Sequence, residues 1–176
     1  GPLTEKMGVG LEAQGTYSTN PPNHPNGSHV AEVEVDPETG EVRVDRYYVV
    51  DDLGVVLNPM IVRGQIHGGI AQGIGQALME HAVYDKESGQ MLSATFMDYG
   101  MPRADLFPEI ETHLEEVPSK TNPLGVKGIG ESGTIGAPPT VINAILDALK
   151  PLGVKELDMP ATPARVWDAM SKARAA

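Results

Sequence analysis

No cysteine occurs among the 176 residues. Disulfides, a thiolate zinc site and a cysteine-held iron–sulfur cluster are therefore beyond what this chain can build by itself. Aromatic residues are scarce, at 5% with a single Trp, so the core has to be mostly aliphatic. Basic residues are outnumbered, with 13 Lys and Arg against 24 Asp and Glu for a net charge of −11. A nucleic-acid partner needs a basic footprint, and this balance argues against one. No apolar run approaches the roughly 20 residues of a membrane-spanning helix, so no membrane-spanning segment is expected. The lack of cysteine is compatible with a reducing cytoplasm, the expected location. The chain opens on Gly1-Pro2-Leu3 with no signal-peptide pattern. A tag remnant, a processed start and the cut edge of a longer polypeptide all remain open.

Glycine and proline are abundant instead, and they concentrate in Lys120–Pro139, KTNPLGVKGIGESGTIGAPP. Gly125, Gly128, Gly130, Gly133 and Gly136 surround one carboxylate, Glu131, and prolines close the run at Pro123 and Pro138-Pro139. Fixing glycine is entropically unfavourable, so this is a poor way to make an ordinary surface turn. Flexible linkers are poor in apolar residues, whereas Leu124, Val126, Ile129 and Ile135 are spaced through this stretch. A packed, functional loop is expected.

Residues 1–28 are rich in Pro, Asn and Gly and read as an irregular leader, with 29–176 as the folded body of a single domain. His24 and His29 read as solvated or capping residues, since a zinc site needs further ligands at defined spacing. Alternation from Val30 to Val35 and from Val42 to Val50, around Asp36-Pro37-Glu38-Thr39-Gly40, predicts a β-hairpin. Asp51, Asp52 and Gly54 read as its end rather than as a metal pair. Asn58-Pro59 then offers an N-cap and a first-turn proline. The helix that follows is expected to run about 24 residues, through MIVRGQIHGGIAQGIGQALMEHAVY. It carries an apolar stripe (Ile66, Ile70, Ile74, Leu78), a small stripe (Gly64, Gly68, Ala71, Gly75) and a polar one that includes Gln65, Gln72 and Gln76. Each interior glycine costs about 1 kcal/mol relative to alanine. Close approach of another helix or of a ligand would offset that, and the row of glutamine amides favours a ligand. Further on, 109–117 alternates as a half-exposed strand, and a helix is expected to start at Pro138-Pro139. A short strand follows at 154–158, and Thr162-Pro163 begin a last helix carrying Val166, Trp167 and Met170. The fold class is α+β: a β-hairpin and further strands packed with a long glycine-rich helix and two C-terminal helices.

Three blocks in order carry a resemblance: EVEVDPETGEVRV…DDLGVVLNP, then GQIHGGIAQGIGQALME, then SKTNPLGVKGIGESGTIGAPP followed by MPATPARVW. Together they resemble the C-terminal part of the molybdenum-binding large subunit of the molybdenum hydroxylases. That family comprises the xanthine dehydrogenases, aldehyde oxidases and carbon monoxide dehydrogenases, and the wording is nearest to the last of these. The resemblance covers nearly all of residues 8–170. It implies that the chain is part of a molybdopterin-binding domain within a molybdenum-dependent oxidoreductase.

The family's Gly-x-Gly-Glu glutamate falls on Glu131. The resemblance implies that Glu131 is the catalytic base, taking a proton beside the molybdenum while an electron-poor substrate carbon is oxidised. A carboxylate buried in a glycine-walled pocket would suit that task. The family's cofactor-binding glutamine falls on Gln65, and Gly128, Gly130 and Ser132 are implied as further cofactor contacts. The cofactor implied is molybdopterin, in its cytosine dinucleotide form, with molybdenum held by the pterin dithiolene, so no metal ligand is expected from this chain. Iron–sulfur clusters and FAD are expected on other subunits or domains. The implied partners are the remaining part of the large subunit, an iron–sulfur subunit, a flavin subunit and a small-molecule substrate. Aldehydes, N-heterocycles and carbon monoxide all stay open as substrates. A non-catalytic scaffold or a truncated fragment of the same fold is the alternative. A nucleotide-binding module is disfavoured, because neither a Walker pattern nor a strand–GxGxxG–helix unit is present.

Overall fold

A computed structural model describes residues 12–18 and 22–175. Half of the N-terminal leader lies outside the described residues. Strand β1 (Asn26–Val35) pairs antiparallel with β2 (Val42–Asp52). Asp36 closes the hairpin: its Oδ1 accepts the Glu38 N–H at 2.7 Å, and its carbonyl accepts the Gly40 N–H at 2.8 Å. Strand β3 (Ile110–Glu115) runs parallel to β2, so β2 is the centre of a three-stranded sheet. A parallel neighbour requires a crossover, and the chain between β2 and β3 supplies it with helix α1 (Pro59–Leu78).

The hairpin contains an irregularity that decides which side chains face inward. Glu32 pairs with Arg46 and Val33 with Val44, leaving Asp45 as an extra residue on β2. An extra residue reverses the inside–outside alternation beyond it. Before the bulge Val44 is buried; after it Tyr47, Val49 and Asp51 are. The bulge thus turns Asp51 into the interior.

Helix α1 begins as its sequence predicts. Asn58 Oδ1 accepts the N–H groups of Met60 and Ile61 at 3.1 and 3.2 Å, and Pro59 occupies the first turn. The helix ends at Leu78, short of the expected length, because the Met79 and Glu80 N–H groups both turn back to the Gly75 carbonyl. Ile66, Ile70, Ile74 and Leu78 form its buried stripe.

Helix α2 (Ser132–Leu149) starts six residues before the expected Pro138, so both prolines lie inside it. Interior proline removes an N–H and is unfavourable by ~3 kcal/mol. At Pro138, which is buried, the contact with α1 offsets this, whereas Pro139 is exposed. A Cβ on Gly73 would lie 2.7 Å from the Ala137 Cβ and 2.8 Å from the Pro138 Cδ; one on Gly69 would lie 2.9 Å from the Thr134 nitrogen. The two backbones therefore meet along Gly69 and Gly73, not along the stripe of Gly64, Gly68, Ala71 and Gly75. Ala137, Val141, Ile145 and Leu149 continue the buried face of α2, which also lies against β1. Residues 154–158 form no strand; Val154 is buried there without a ladder partner. Helix α3 (Pro163–Ala175) buries Val166 and Met170 but leaves the expected Trp167 half exposed.

Adjacent glycines of α1 provide a direct test. Gly69→Ala should lower stability by about 1–3 kcal/mol through overpacking. At Gly68 a Cβ meets nothing within 4 Å, so Gly68→Ala should stabilise by up to about 1 kcal/mol through helix propensity. Urea midpoints of the two variants falling on the same side of wild type would contradict this packing.

Candidate active site

Up to Glu131 the glycine-rich stretch is the expected loop, fastened to the end of β2; from Ser132 it is already helix α2, and Leu124 and Ile135, expected to pack, are exposed. Lys127 N–H donates to the Leu53 carbonyl at 2.8 Å, and Val55 N–H to the Gly125 carbonyl at 3.0 Å. Gly54 stands at φ +69°, and a Cβ there would sit 2.1 Å from the Gly125 oxygen, so only glycine fits this junction. Asn122 braces the turn, donating to the Val126 carbonyl at 2.8 Å and accepting the Val126 N–H at 3.1 Å.

Two consecutive carboxylates at the strand end take opposite sides. Asp52 is buried and forms an ion pair with Lys127, itself largely buried. Its carboxylate also accepts from the Gly54 N–H at 2.9 Å, the Val117 N–H at 3.2 Å and Asn26 Nδ2 at 3.2 Å. Burial pushes this carboxyl up, but the Lys127 ammonium and the two backbone donors outweigh it and hold it below the ordinary 3.8. Asp51, only 1% exposed, faces the other way. Its Oδ2 accepts the Ser132 hydroxyl at 3.1 Å, and its Oδ1 lies 3.5 Å from His29 Nε2. His29 Nδ1 is in turn 2.8 Å from the Tyr47 hydroxyl. The expectation of a solvated or capping His29 is therefore corrected: β1 turns its ring onto the interior face.

Glu131 and Ser132 sit where the loop becomes α2. Glu131 occupies the N-cap position but makes no capping bond to its helix. With Gly128, Gly130, Ser132, His29 and Asp51 it lines a cavity of about 430 Å³. The structure corrects the expected burial of Glu131, whose side chain is exposed in this chain. Its position at the helix start places it at the surface, with no partner for its carboxylate among the described residues. Gln65, from α1, donates through Nε2 to the Gly130 carbonyl at 2.8 Å, so it grips the residue before Glu131. Gln72, two turns further along α1, accepts the Thr134 hydroxyl at 3.2 Å. Four of the residues singled out from the sequence, Gly128, Gly130, Glu131 and Ser132, share one cavity, and Gln65 holds its loop from outside. No group of three His, Cys, Asp or Glu that could hold a metal ion occurs among the described residues.

A family model for the molybdopterin cofactor-binding domain matches residues 3–108. The chain belongs to that family. The chain is 46% identical over 157 residues to the nicotine 6-hydroxylase large subunit of Paenarthrobacter nicotinovorans, covering 89% of this chain and 19% of that one. It is 42% identical over 165 residues to the carbon monoxide dehydrogenase large chain of Hydrogenophaga pseudoflava, covering 93% and 20%. Among solved structures, quinoline 2-oxidoreductase from Pseudomonas putida 86 matches with a TM-score of 0.81 and 44% identity, over 84% of this chain and 19% of that chain. The chain thus spans about a fifth of the length of the curated relatives it matches.

His29, Asp51, Asp52 and Lys127 escaped sequence reasoning as a constellation. The alternation beyond the bulge, Tyr47–Val49–Asp51, was the available signal that Asp51 points inward.

The Asp52 carboxyl has a lower pKa folded than unfolded. Its stabilisation is therefore present above about pH 4 and is lost as pH falls through the folded value. Asp52→Asn leaves Lys127 buried without its counter-charge and should cost about 3–5 kcal/mol at pH 7. The gap from wild type should narrow below the ordinary 3.8. Urea denaturation at pH 7 and pH 3 measures both; a gap independent of pH would show that Asp52 is not linked to folding.

Proposed function

We propose that this chain supplies the proton-accepting carboxylate, Glu131, and part of the cofactor wall of a molybdenum-dependent hydroxylase or dehydrogenase. The observation that carries the reading is the bare backbone beside Glu131. A Cβ on Gly128 or Gly130 would meet nothing within 4 Å, and neither residue has a positive φ. Nothing among the described residues requires glycine at either position, whereas a planar, polar-edged cofactor lying on the peptide groups does. The same holds for Gly64 and Gly68 on the exposed side of α1. The donor set fits as well: peptide groups, one amide and one carboxylate suit a pterin whose own sulfur atoms carry the metal.

When bound, molybdenum cofactor supplies the two-electron oxidation of an electron-poor substrate carbon. Glu131 would accept a proton at its carboxylate oxygen during that step, and its freedom from other partners leaves both oxygens available. Gln65 would hold the loop through the Gly130 carbonyl, while Gly128, Gly130 and the backbone of Ser132 form the wall. The finer reading comprises the cytosine dinucleotide form of the cofactor and iron–sulfur and FAD centres on partner subunits. It also places the remaining part of the large subunit over Glu131 and the assembly in the cytoplasm. Relatives named for nicotine, quinoline and carbon monoxide support a small, electron-poor substrate.

The test uses the complete enzyme, with molybdenum measured by elemental mass spectrometry. Turnover is followed as dye reduction with nicotine, quinoline, carbon monoxide and benzaldehyde. Glu131→Gln should keep its molybdenum and lose about 10²–10⁴-fold in turnover; near-normal activity rejects the assignment. Gln65→Ala should lower molybdenum occupancy more than turnover per molybdenum, and unchanged occupancy counts against its role.

A further inference from the structure

Behind the Glu131 loop lies a largely buried chain of polar side chains that the proposed reaction does not use: Tyr47, His29, Asp51 and the hydroxyl of Ser132. Buried carboxylates are unfavourable unless partnered, so the way this one is accommodated is informative. Gly27 sits directly across from Asp51 in the β1–β2 ladder. A Cβ on Gly27 would fall 2.0 Å from Asp51 Oδ1, so the carboxylate lies over a glycine backbone. On the other side, a Cβ on Gly136 of α2 would fall 2.6–2.8 Å from three atoms of the His29 ring. Two elements are hollowed out to admit this one pair.

The ring of His29 bridges the chain: its Nδ1 lies 2.8 Å from the Tyr47 hydroxyl and its Nε2 3.5 Å from Asp51 Oδ1. Burial first, and then the nearby Asp51 carboxylate, push the Tyr47 hydroxyl pKa up, so Tyr47 stays a neutral partner to the ring. Asp51 then has one oxygen towards the imidazole and the other on the Ser132 hydroxyl, the first residue of α2 and the neighbour of Glu131.

We infer that Asp51, backed by His29, is a positioning residue for Glu131, acting through the Ser132 hydroxyl. This rests on the proposed role of Glu131. The mechanism is geometric: the Asp51–Ser132 bond pins the first turn of α2 to the rigid sheet. Gln65 pins the preceding Gly130 to α1, and Glu131 is suspended between the two anchors.

The experiment is a double-mutant cycle in the complete, molybdenum-loaded enzyme with Asp51→Asn and Ser132→Ala. Hydrogen exchange of the peptide spanning residues 127–136 is read alongside molybdenum content and turnover per molybdenum, with the panel substrate turned over fastest. Each single variant should raise exchange at the loop by about 10-fold. Each should also lower kcat by about 10–100-fold with KM unchanged. The double variant should be no worse than the more affected single one. Unchanged loop exchange, or losses that multiply, overturns the inference. Should Asp51→Asn fail to hold molybdenum, Gly136→Ala, which displaces the His29 ring, replaces it in the cycle and is judged on the same outcomes. Activity surviving Glu131→Gln overturns the reading of Glu131 itself, whereas the exchange data report on Asp51 independently of it.

Discussion

The site depends on one piece of strand chemistry, the Asp51–Asp52 pair that ends β2. Successive side chains on a strand point to opposite sides, so two adjacent carboxylates reach two different segments. Asp52 takes the Lys127 ammonium, at the entrance of the glycine loop; Asp51 takes the Ser132 hydroxyl, at its exit. The loop between, which carries Gly128, Gly130 and Glu131, is thereby clamped at both ends to the central strand of the sheet. A loop rich in glycine has much conformational entropy to lose. Fastening both ends to one rigid element limits that freedom while leaving Gly128 and Gly130 bare on the loop's outer surface.

The same economy governs the helices. Gly69 and Gly73 let α2 approach α1 at backbone distance, and that contact takes in Pro138, one of the two prolines inside α2. Close approach also puts Gln65 within reach of Gly130. Helix packing, the loop and the candidate base are consequently one mechanical unit. Glycines on the contact face of α1 are there for packing; those at Gly64 and Gly68, with open space before them, are not explained by packing.

Much of this was legible in the sequence where local rules act alone. The Asn58-Pro59 cap, the apolar stripe of α1 and the hairpin turn at Asp36–Gly40 are set by residues close together in the chain. The errors arose where distant segments override local preference. Proline ordinarily starts a helix, but the α1 contact at Pro138 allows α2 to begin at Ser132, with Pro138 and Pro139 inside. The interior role of Asp51 follows from a one-residue bulge at Asp45, which flips the phase of β2 and has no strong local signature. His29 looked like a loop histidine for the same reason: its partners, Tyr47 and Asp51, are brought to it only by strand pairing. Glycine counts could not separate packing from ligand contact along α1, because both demand the same missing side chain.

The exposure of Glu131 in this chain bears on how a base of this type is made. Rigid support and desolvation are separable requirements, and here they come from different places. The support is internal: Gln65 holds Gly130, Asp51 holds Ser132, and Glu131 stands between them with its carboxylate unengaged among the described residues. Desolvation, which raises the proton affinity of a carboxylate, requires something to cover it. The bare peptide surface at Gly128 and Gly130 leaves room for that cover to approach at backbone distance. On the proposed reading, the cofactor and the remaining part of the large subunit complete the environment of a base whose geometry is already set. The curated relatives are about five times the length of this chain, which is ample to supply such a cover. Division of labour of this kind explains why the loop combines tight anchoring with bare backbone at Gly128 and Gly130 beside Glu131: the first fixes the base, and the second admits what activates it.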